Sequence, residues 1–248
     1  MEKDKAINWI KDIGYTELFA NNFVDQVRFS QEESLKRLFQ DIDSRYESEI
    51  KTICDVIEKY NAPRVLEIGT NWGIAAVFMQ KAARSTGGTL QCVDTTENVL
   101  EGNCINNLEI NASNEFIKLI IDKGIDDIEW GFYEQGADMF FEDIRKNKKS
   151  QKYDIIFVDG DHSYVQSIKD IKNSLEFLDT NGVIFLHDLK ESTQGLPEHR
   201  SVLRAYKELD ENNIVKFRML KTPCKLGMIY RRGETPPAGV EDIVRKQI

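Results

Sequence analysis

Four apolar runs in the chain each end in a group that can do chemistry. Val65-Leu66 ends at Glu67, Cys92-Val93 at Asp94, Ile155-Ile156-Phe157-Val158 at Asp159, and Val183-Ile184-Phe185-Leu186 at His187-Asp188. Carboxylates accept hydrogen bonds from hydroxyls and hold hard cations, and histidine exchanges a proton near neutral pH. Unbroken apolar runs are the mark of parallel strands buried on both faces, and an open α/β sheet binds ligands beyond the carboxyl ends of such strands. The four polar ends are therefore expected to meet in one crevice.

The elements that would carry them alternate. Strands are expected at Arg64–Ile68, Leu90–Asp94, Phe116–Ile121, Tyr153–Asp159 and Val183–His187. Helices are expected between them at Ile74–Arg84, Val99–Ile110 and Ala137–Lys146, the last after an acidic, aromatic loop around Trp130, Phe132 and Tyr133. The helix before the fifth strand places Val165, Ile168, Ile171, Leu175 and Leu178 on one apolar face, and Asn181-Gly182 reads as a turn. A further helix is expected near Val202–Leu209, and Ile214–Leu220 with Leu226–Arg231 as an antiparallel edge pair. Upstream, Ser30 and Glu33 form a capping-box pattern, and Leu35, Leu38, Ile42, Tyr46, Ile50, Ile53, Ile57 and Tyr60 then recur every three or four positions, as in one long amphipathic helix ending before Pro63. The chain thus divides into a helical extension (1–61) serving as cap, lid or dimer surface, a main domain (62–232) and a peripheral tail (233–248). A homodimer through the apolar amino-terminal helix is one use of that surface.

Charge and composition narrow the function. With 42 acidic against 33 basic residues the net charge is -9, which disfavours a broad nucleic-acid or anionic-membrane surface. No apolar stretch approaches a membrane span and Met1–Lys5 does not open a signal peptide, so a cytoplasmic location is expected. The four cysteines form no Cys-x-x-Cys pair and read as packing residues.

After the first strand comes Glu67-Ile-Gly69-Thr70-Asn71-Trp-Gly73, running into an Ala-rich helix. Glycines at such a junction let a ligand approach the backbone, and the helix start offers free N–H donors. A dinucleotide fingerprint would want glycines at 69, 71 and 74, but Asn71 and Ile74 stand at the last two. A nicotinamide-dependent oxidoreductase, or a non-catalytic binding module on the same fold, remains as an alternative. Glu67-x-Gly69-x-x-x-Gly73 instead resembles the first motif of class I S-adenosylmethionine-dependent methyltransferases. The segment Tyr153-Asp-Ile-Ile-Phe-Val-Asp-Gly-Asp-His-Ser-Tyr164, with Gly182-Val-Ile-Phe-Leu-His-Asp188, is similar to the small-molecule O-methyltransferase branch that carries Asp-Gly-Asp-His-x-Tyr, including the catechol O-methyltransferase-like enzymes and methyltransferase domain family 24.

The resemblance covers roughly residues 62 to 190 and implies a Rossmann-like α/β fold, a seven-stranded mostly parallel sheet of order 3-2-1-4-5-7-6 flanked by helices. It implies S-adenosyl-L-methionine as cofactor and methyl transfer to a hydroxyl of a small molecule. Glu67, Gly69, Thr70, Asn71 and Gly73 would hold the methionine portion, Asp94 the ribose hydroxyls, and Asp159 would face the same cleft. In the metal-dependent members a divalent cation sits at the positions of Asp159, His187 and Asp188. A His187-Asp188 pair in place of Asp-Asn suits manganese, iron or zinc better than magnesium. Two further readings stand beside the metal. In one, Asp161 or Ser163 caps the next helix and His187 is a hydrogen-bonded core residue. In the other, His162 or His187 is a metal-free general base that deprotonates the acceptor. His199 is given no role. Acceptor selection is assigned to the amino-terminal helices, the loop around Trp130, Phe132 and Tyr133, and Lys190–His199.

Overall fold

A computed structural model of the chain describes residues 49–70, 74–94, 130–134, 136–147, 151–189, 202–211, 215–222 and 225–247. Its elements are α1 (Lys51–Ile57), β1 (Arg64–Ile68), α2 (Ile74–Ser85), β2 (Thr89–Asp94), β3 (Trp130–Glu134), α3 (Ala137–Asn147), β4 (Tyr153–Val158), α4 (Tyr164–Phe177), β5 (Leu178–Leu186), α5 (Val202–Glu211), β6 (Val215–Met219), β7 (Gly227–Arg231) and α6 (Val240–Arg245). The strands form one seven-stranded sheet in the order β3-β2-β1-β4-β5-β7-β6. β3, β2, β1, β4 and β5 run parallel, and β7 pairs antiparallel with both β5 and β6. This is the expected α/β architecture.

The apolar runs explain the layering. Successive strand residues face opposite sides, so a continuous apolar strand feeds two cores. Val65, Cys92, Ile155, Phe157, Val183 and Phe185 pack on one side with α1, α2 and α6, while Leu66, Val93, Ile156, Val158, Ile184 and Leu186 pack on the other with α3, α4 and α5. From β1 the chain moves outward to β2 and β3, then crosses to the opposite side of β1 to form β4. That reversal leaves a crevice above the carboxyl ends of β1 and β4.

Several sequence expectations need correction. Trp130–Glu134, expected as part of a loop, is a strand that pairs in parallel with Leu90–Asp94. Its aromatic residues favour a pleated backbone. The expected strand at Phe116–Ile121 and helix at Val99–Ile110 lie outside the described residues, as does the long amino-terminal helix before Glu49. β5 begins at Leu178, before the Asn181-Gly182 turn. The turn survives as an irregularity, with Asn181 at φ 63° and the β4–β5 pairing jumping from Tyr153–Leu178 to Ile155–Val183. On α4 the buried stripe is Ser167, Asp170, Ile171, Ser174 and Phe177, whereas Val165 is exposed. Gln166 Nε2 donates to Asp170 at 2.8 Å, and burial pushes the Asp170 carboxyl up to about 7, so the inward face is rotated from the expected stripe and carries polar groups, leaving Ile168 and Leu175 partly buried beside it.

The two ends of the main domain also differ from expectation. Ile53, Val56 and Ile57 of α1 are fully buried in the same core as β1, so position 61 does not divide two cores. The segment after Gly233 is not peripheral, because α6 sends Val240 and Val244 into that core, both 0% exposed. Tyr230 Oη donates to Glu241 at 2.6 Å, and the Lys221 amide donates to the Gln247 carbonyl at 2.7 Å. Their apolar spacing over a short, charged helix is too brief to stand out as a periodic signal. Truncating Val244 to Ala is expected to cost about 1–3 kcal/mol in urea unfolding. An unchanged midpoint would mean that this segment does not belong to the core.

Candidate active site

Strand register is what brings the reactive residues together. Ile68 is level with Val93 of β2 and Val158 of β4, and Val158 with Leu186 of β5. One residue further, Asp94, Gly69, Asp159 and His187 stand at the same height on four adjacent strand ends. The ladder continues through this row: the Gly69 amide donates to the Val93 carbonyl at 2.9 Å, the Asp159 amide to Ile68 at 2.8 Å, and the His187 amide to Val158 at 3.1 Å. At about 4.8 Å between neighbouring strands the row spans about 14 Å. By the alternation of the strands, Glu67, Asp94, Asp159 and His187 all follow the face that carries Val65, Cys92, Phe157 and Phe185.

Gly69 is required where it stands. Its φ of +87° lies in the left-handed region, and a Cβ would fall 2.2 Å from the Asp159 carbonyl oxygen. The β1 loop can therefore approach the end of β4 only without a side chain. Below it, Glu67 is 0% exposed, and neither carboxylate oxygen has a hydrogen-bond partner among the described residues; the buried Thr70 hydroxyl is in the same position. Burial pushes the Glu67 carboxyl up, the neighbouring Cys92 thiol and Thr70 hydroxyl pull it partly back without forming a well-made hydrogen bond, and it comes to rest at about 8. Such a group accepts N–H or ammonium donors on arrival of a ligand. Asp94 ends β2 half-buried at the crevice edge. Asn71 and Gly73 lie outside the described residues.

At the other end of the row, Asp159, His162, His187 and Asp188 offer one ligand atom each, all within 4.8 Å of one another. Two of the chain's three histidines are therefore in one cluster. His187 Nδ1 is 2.9 Å from Asp159 Oδ1 and 3.7 Å from Asp188 Oδ1, and His162 Nε2 is 3.3 Å from Asp159 Oδ1 and 3.5 Å from Asp188 Oδ2. In an extended chain His187 and Asp188 would point to opposite faces. Asp188 instead has φ 54°, a left-handed conformation that aspartate adopts more readily than most residues, and this turn brings its carboxylate into the cluster. Burial pushes the Asp159 carboxyl up, but hydrogen bonds and charge from His162 and His187 outweigh this and hold it at about 2. The Asp159 hydrogen bond raises His162 above the usual imidazole range, against burial.

The helix-capping expectation holds alongside the cluster. Ser163 is the N-cap of α4, its hydroxyl accepting from the Gln166 amide at 3.3 Å, while Asp161 Oδ1 accepts from the Ser163 amide at 2.7 Å. Asp161 and Ser163 thus fix the loop that aims His162. His187 is also a buried, hydrogen-bonded residue: its Nε2 lies 2.9 Å from Glu49 Oε2, both side chains being nearly inaccessible. The sequence reading missed Glu49. It falls on the apolar stripe of the long helix, three residues after Tyr46 and four before Ile53, where a charge is out of place.

Glu67 links this geometry to pH. Its folded pKa of about 8 lies above its ordinary carboxylate value, so the folded state binds the extra proton between the two. The resulting stability is fully present below the ordinary range and is lost as pH rises through about 8. Glu67→Gln should therefore flatten the fall in stability across that interval and be the more stable form above it, as read by urea unfolding at several pH values. Parallel profiles for the two proteins would refute the assignment.

The fold is shared with solved methyltransferase structures. An O-methyltransferase from Bacillus cereus in complex with SAH matches at 16% identity over 85% of this chain and 96% of its own, with a TM-score of 0.57. TomG from Streptomyces achromogenes, an O-methyltransferase involved in tomaymycin synthesis and solved with SAM, matches at 16% over 75% and 80%, with a TM-score of 0.54. SAH-bound PaMTH1 from Podospora anserina matches at 18% over 73% and 76%, with a TM-score of 0.53. No curated protein sequence matches the chain. The family model described as "Methyltransferase domain" matches residues 66–189, from the middle of β1 to just past the His187-Asp188 pair and half of the whole chain. With the register row and the cluster both inside that span, the chain belongs to this methyltransferase-domain family.

Proposed function

We propose that the chain transfers the methyl group of S-adenosylmethionine to a hydroxyl of a small molecule, using the two ends of the strand-end row for two tasks. The observation that carries this reading is the level placement of Asp94, Gly69, Asp159 and His187. The cofactor occupies the Asp94–Gly69 half. Asp94 accepts hydrogen bonds from the two ribose hydroxyls with its two carboxylate oxygens, a match of acceptor pair to donor pair. The buried Glu67 oxygens, without a hydrogen-bond partner among the described residues, suit the amino group of the methionine portion, with Thr70 nearby. The cofactor complexes of the structural neighbours from Bacillus cereus, Streptomyces achromogenes and Podospora anserina support this placement.

The acceptor meets the Asp159–His187 half. Methyl transfer needs the oxygen held in line with the methyl group and relieved of its proton, since the sulfonium carries the driving force. Asp159, ionised throughout the working range, orients His162 through the 3.3 Å contact and keeps its imidazole basic. The His162 side chain is 41% exposed while its Nε2 is buried against Asp159 and Asp188, so an acceptor hydroxyl would reach the ring from its outer side. The donor set of two carboxylates and two imidazoles also fits a divalent cation, with Asp159, His162, His187 and Asp188 as its holders, and favours manganese, iron or zinc over magnesium. When bound, such an ion lowers the pKa of a hydroxyl placed against it. The acceptor is a small molecule, because a crevice at strand ends admits one ring or chain rather than a flat macromolecular surface.

Two experiments test the two halves. Asp94→Ala is expected to weaken S-adenosylmethionine binding by about 1–3 kcal/mol, roughly fivefold to 150-fold, by calorimetry; unchanged affinity would remove Asp94 from the site. Chelation is expected to abolish turnover, with recovery on adding manganese or iron. Full activity in excess chelator would leave the proton to His162 acting alone, and His162→Ala should then be the variant that loses turnover while retaining cofactor affinity.

A further inference from the structure

Glu49 lies just before α1, 138 residues from His187 in sequence, and its side chain is 1% exposed. Its Oε2 is 2.9 Å from Nε2 of His187, whose ring is itself 6% exposed. A carboxylate accepts, so Nε2 donates to Glu49, and in the metal-free site Nδ1 donates in the same way to Asp159 until a cation takes that proton's place. On its other side the ring packs edge-on to Phe157, with centroids 6.1 Å apart and planes at 79°. Two neighbours from different elements therefore fix both the tilt and the face of the imidazole. The nitrogen left facing Asp159 and Asp188 is Nδ1, at 2.9 and 3.7 Å.

We infer that Glu49 is a positioning residue: it holds His187 with Nε2 turned into the core and presents Nδ1 to the Asp159–His162–Asp188 cluster. The inference rests on the reading of that cluster as the acceptor-side site, and it adds a contribution from the segment before the matched methyltransferase domain. Imidazoles that hold a metal commonly donate their second N–H to a carboxylate, and loss of that partner typically weakens metal binding about 10- to 100-fold. Glu49 stands in that relation to His187. A carboxylate placed against the ring serves equally to orient an imidazole that handles a proton.

The test uses the full chain, with Glu49→Gln and Glu49→Leu as variants and manganese(II) alone as the probe. Glu49→Gln retains an acceptor oxygen and is expected to keep manganese affinity within about threefold of wild type, whereas Glu49→Leu should lose about 10- to 100-fold. Affinity for S-adenosylmethionine should be unchanged in both. Long-range proton–nitrogen spectra of the metal-free wild type should show a proton on Nε2 of His187, and that signal should shift in Glu49→Leu. A folded Glu49→Leu protein with wild-type manganese affinity and an unmoved His187 signal overturns the inference. If Glu49→Leu does not fold, the wild-type spectrum decides: a proton on Nε2 supports the inference and a bare Nε2 overturns it. A wild-type chain that binds the cofactor but no manganese removes the metal reading, and the same spectrum still tests the ring's orientation.

Discussion

The site depends on three backbone hydrogen bonds that carry the parallel ladder one residue beyond the strands: Gly69 to Val93, Asp159 to Ile68 and His187 to Val158. They lock four strand ends at one height. Because the side-chain period of a strand is two, a slip of one residue in any of them would turn its reactive group into the opposite core. The apolar residues on both faces of β1, β4 and β5 make such a slip costly, so burial of ordinary side chains is what fixes the chemistry. Gly69 adds the second constraint, since only a residue without Cβ lets the loop after β1 pass against the Asp159 carbonyl.

Two departures from regular strand geometry complete the site. The left-handed turn at Asp188 folds its carboxylate back toward His162 when a continued strand would have pointed it away. The Ser163 cap and the Asp161 turn begin α4 so that His162 hangs over the end of β4. Each device places polar groups that would be costly inside the sheet at the one edge where a ligand can satisfy them. Among the described residues the Glu67 oxygens have no hydrogen-bond partner, whereas Asp159 and its neighbours are rich in mutual contacts. The two halves thus suit an arriving ligand with donors on one side and the handling of a proton or cation on the other.

Much of this was legible in the sequence because it is local. The apolar runs ending at Glu67, Asp94, Asp159 and His187 announced the strands and their ends, and the resemblance of residues 62 to 190 supplied the sheet order. What could not be read was tertiary. Trp130–Glu134 forms a strand because β2 offers an open edge. Val240 and Val244 are core residues because α1 and β7 leave a face to cover. Val165 is exposed despite its apolar spacing because α4 turns Ser167, Asp170 and Ser174 inward instead. Glu49 was visible as a charge on an apolar stripe, but nothing in one dimension tied it to His187.

The most direct measurement is a crystal structure of the chain grown with S-adenosylhomocysteine and manganese, with anomalous scattering collected for the ion. The account predicts the nucleoside ribose on Asp94, the amino group of the amino-acid portion at Glu67, and the anomalous peak among Asp159, His162, His187 and Asp188. A nucleoside bound away from the ends of β1 and β2, or a crevice in which Asp94 and Asp159 face separate cavities, would contradict it.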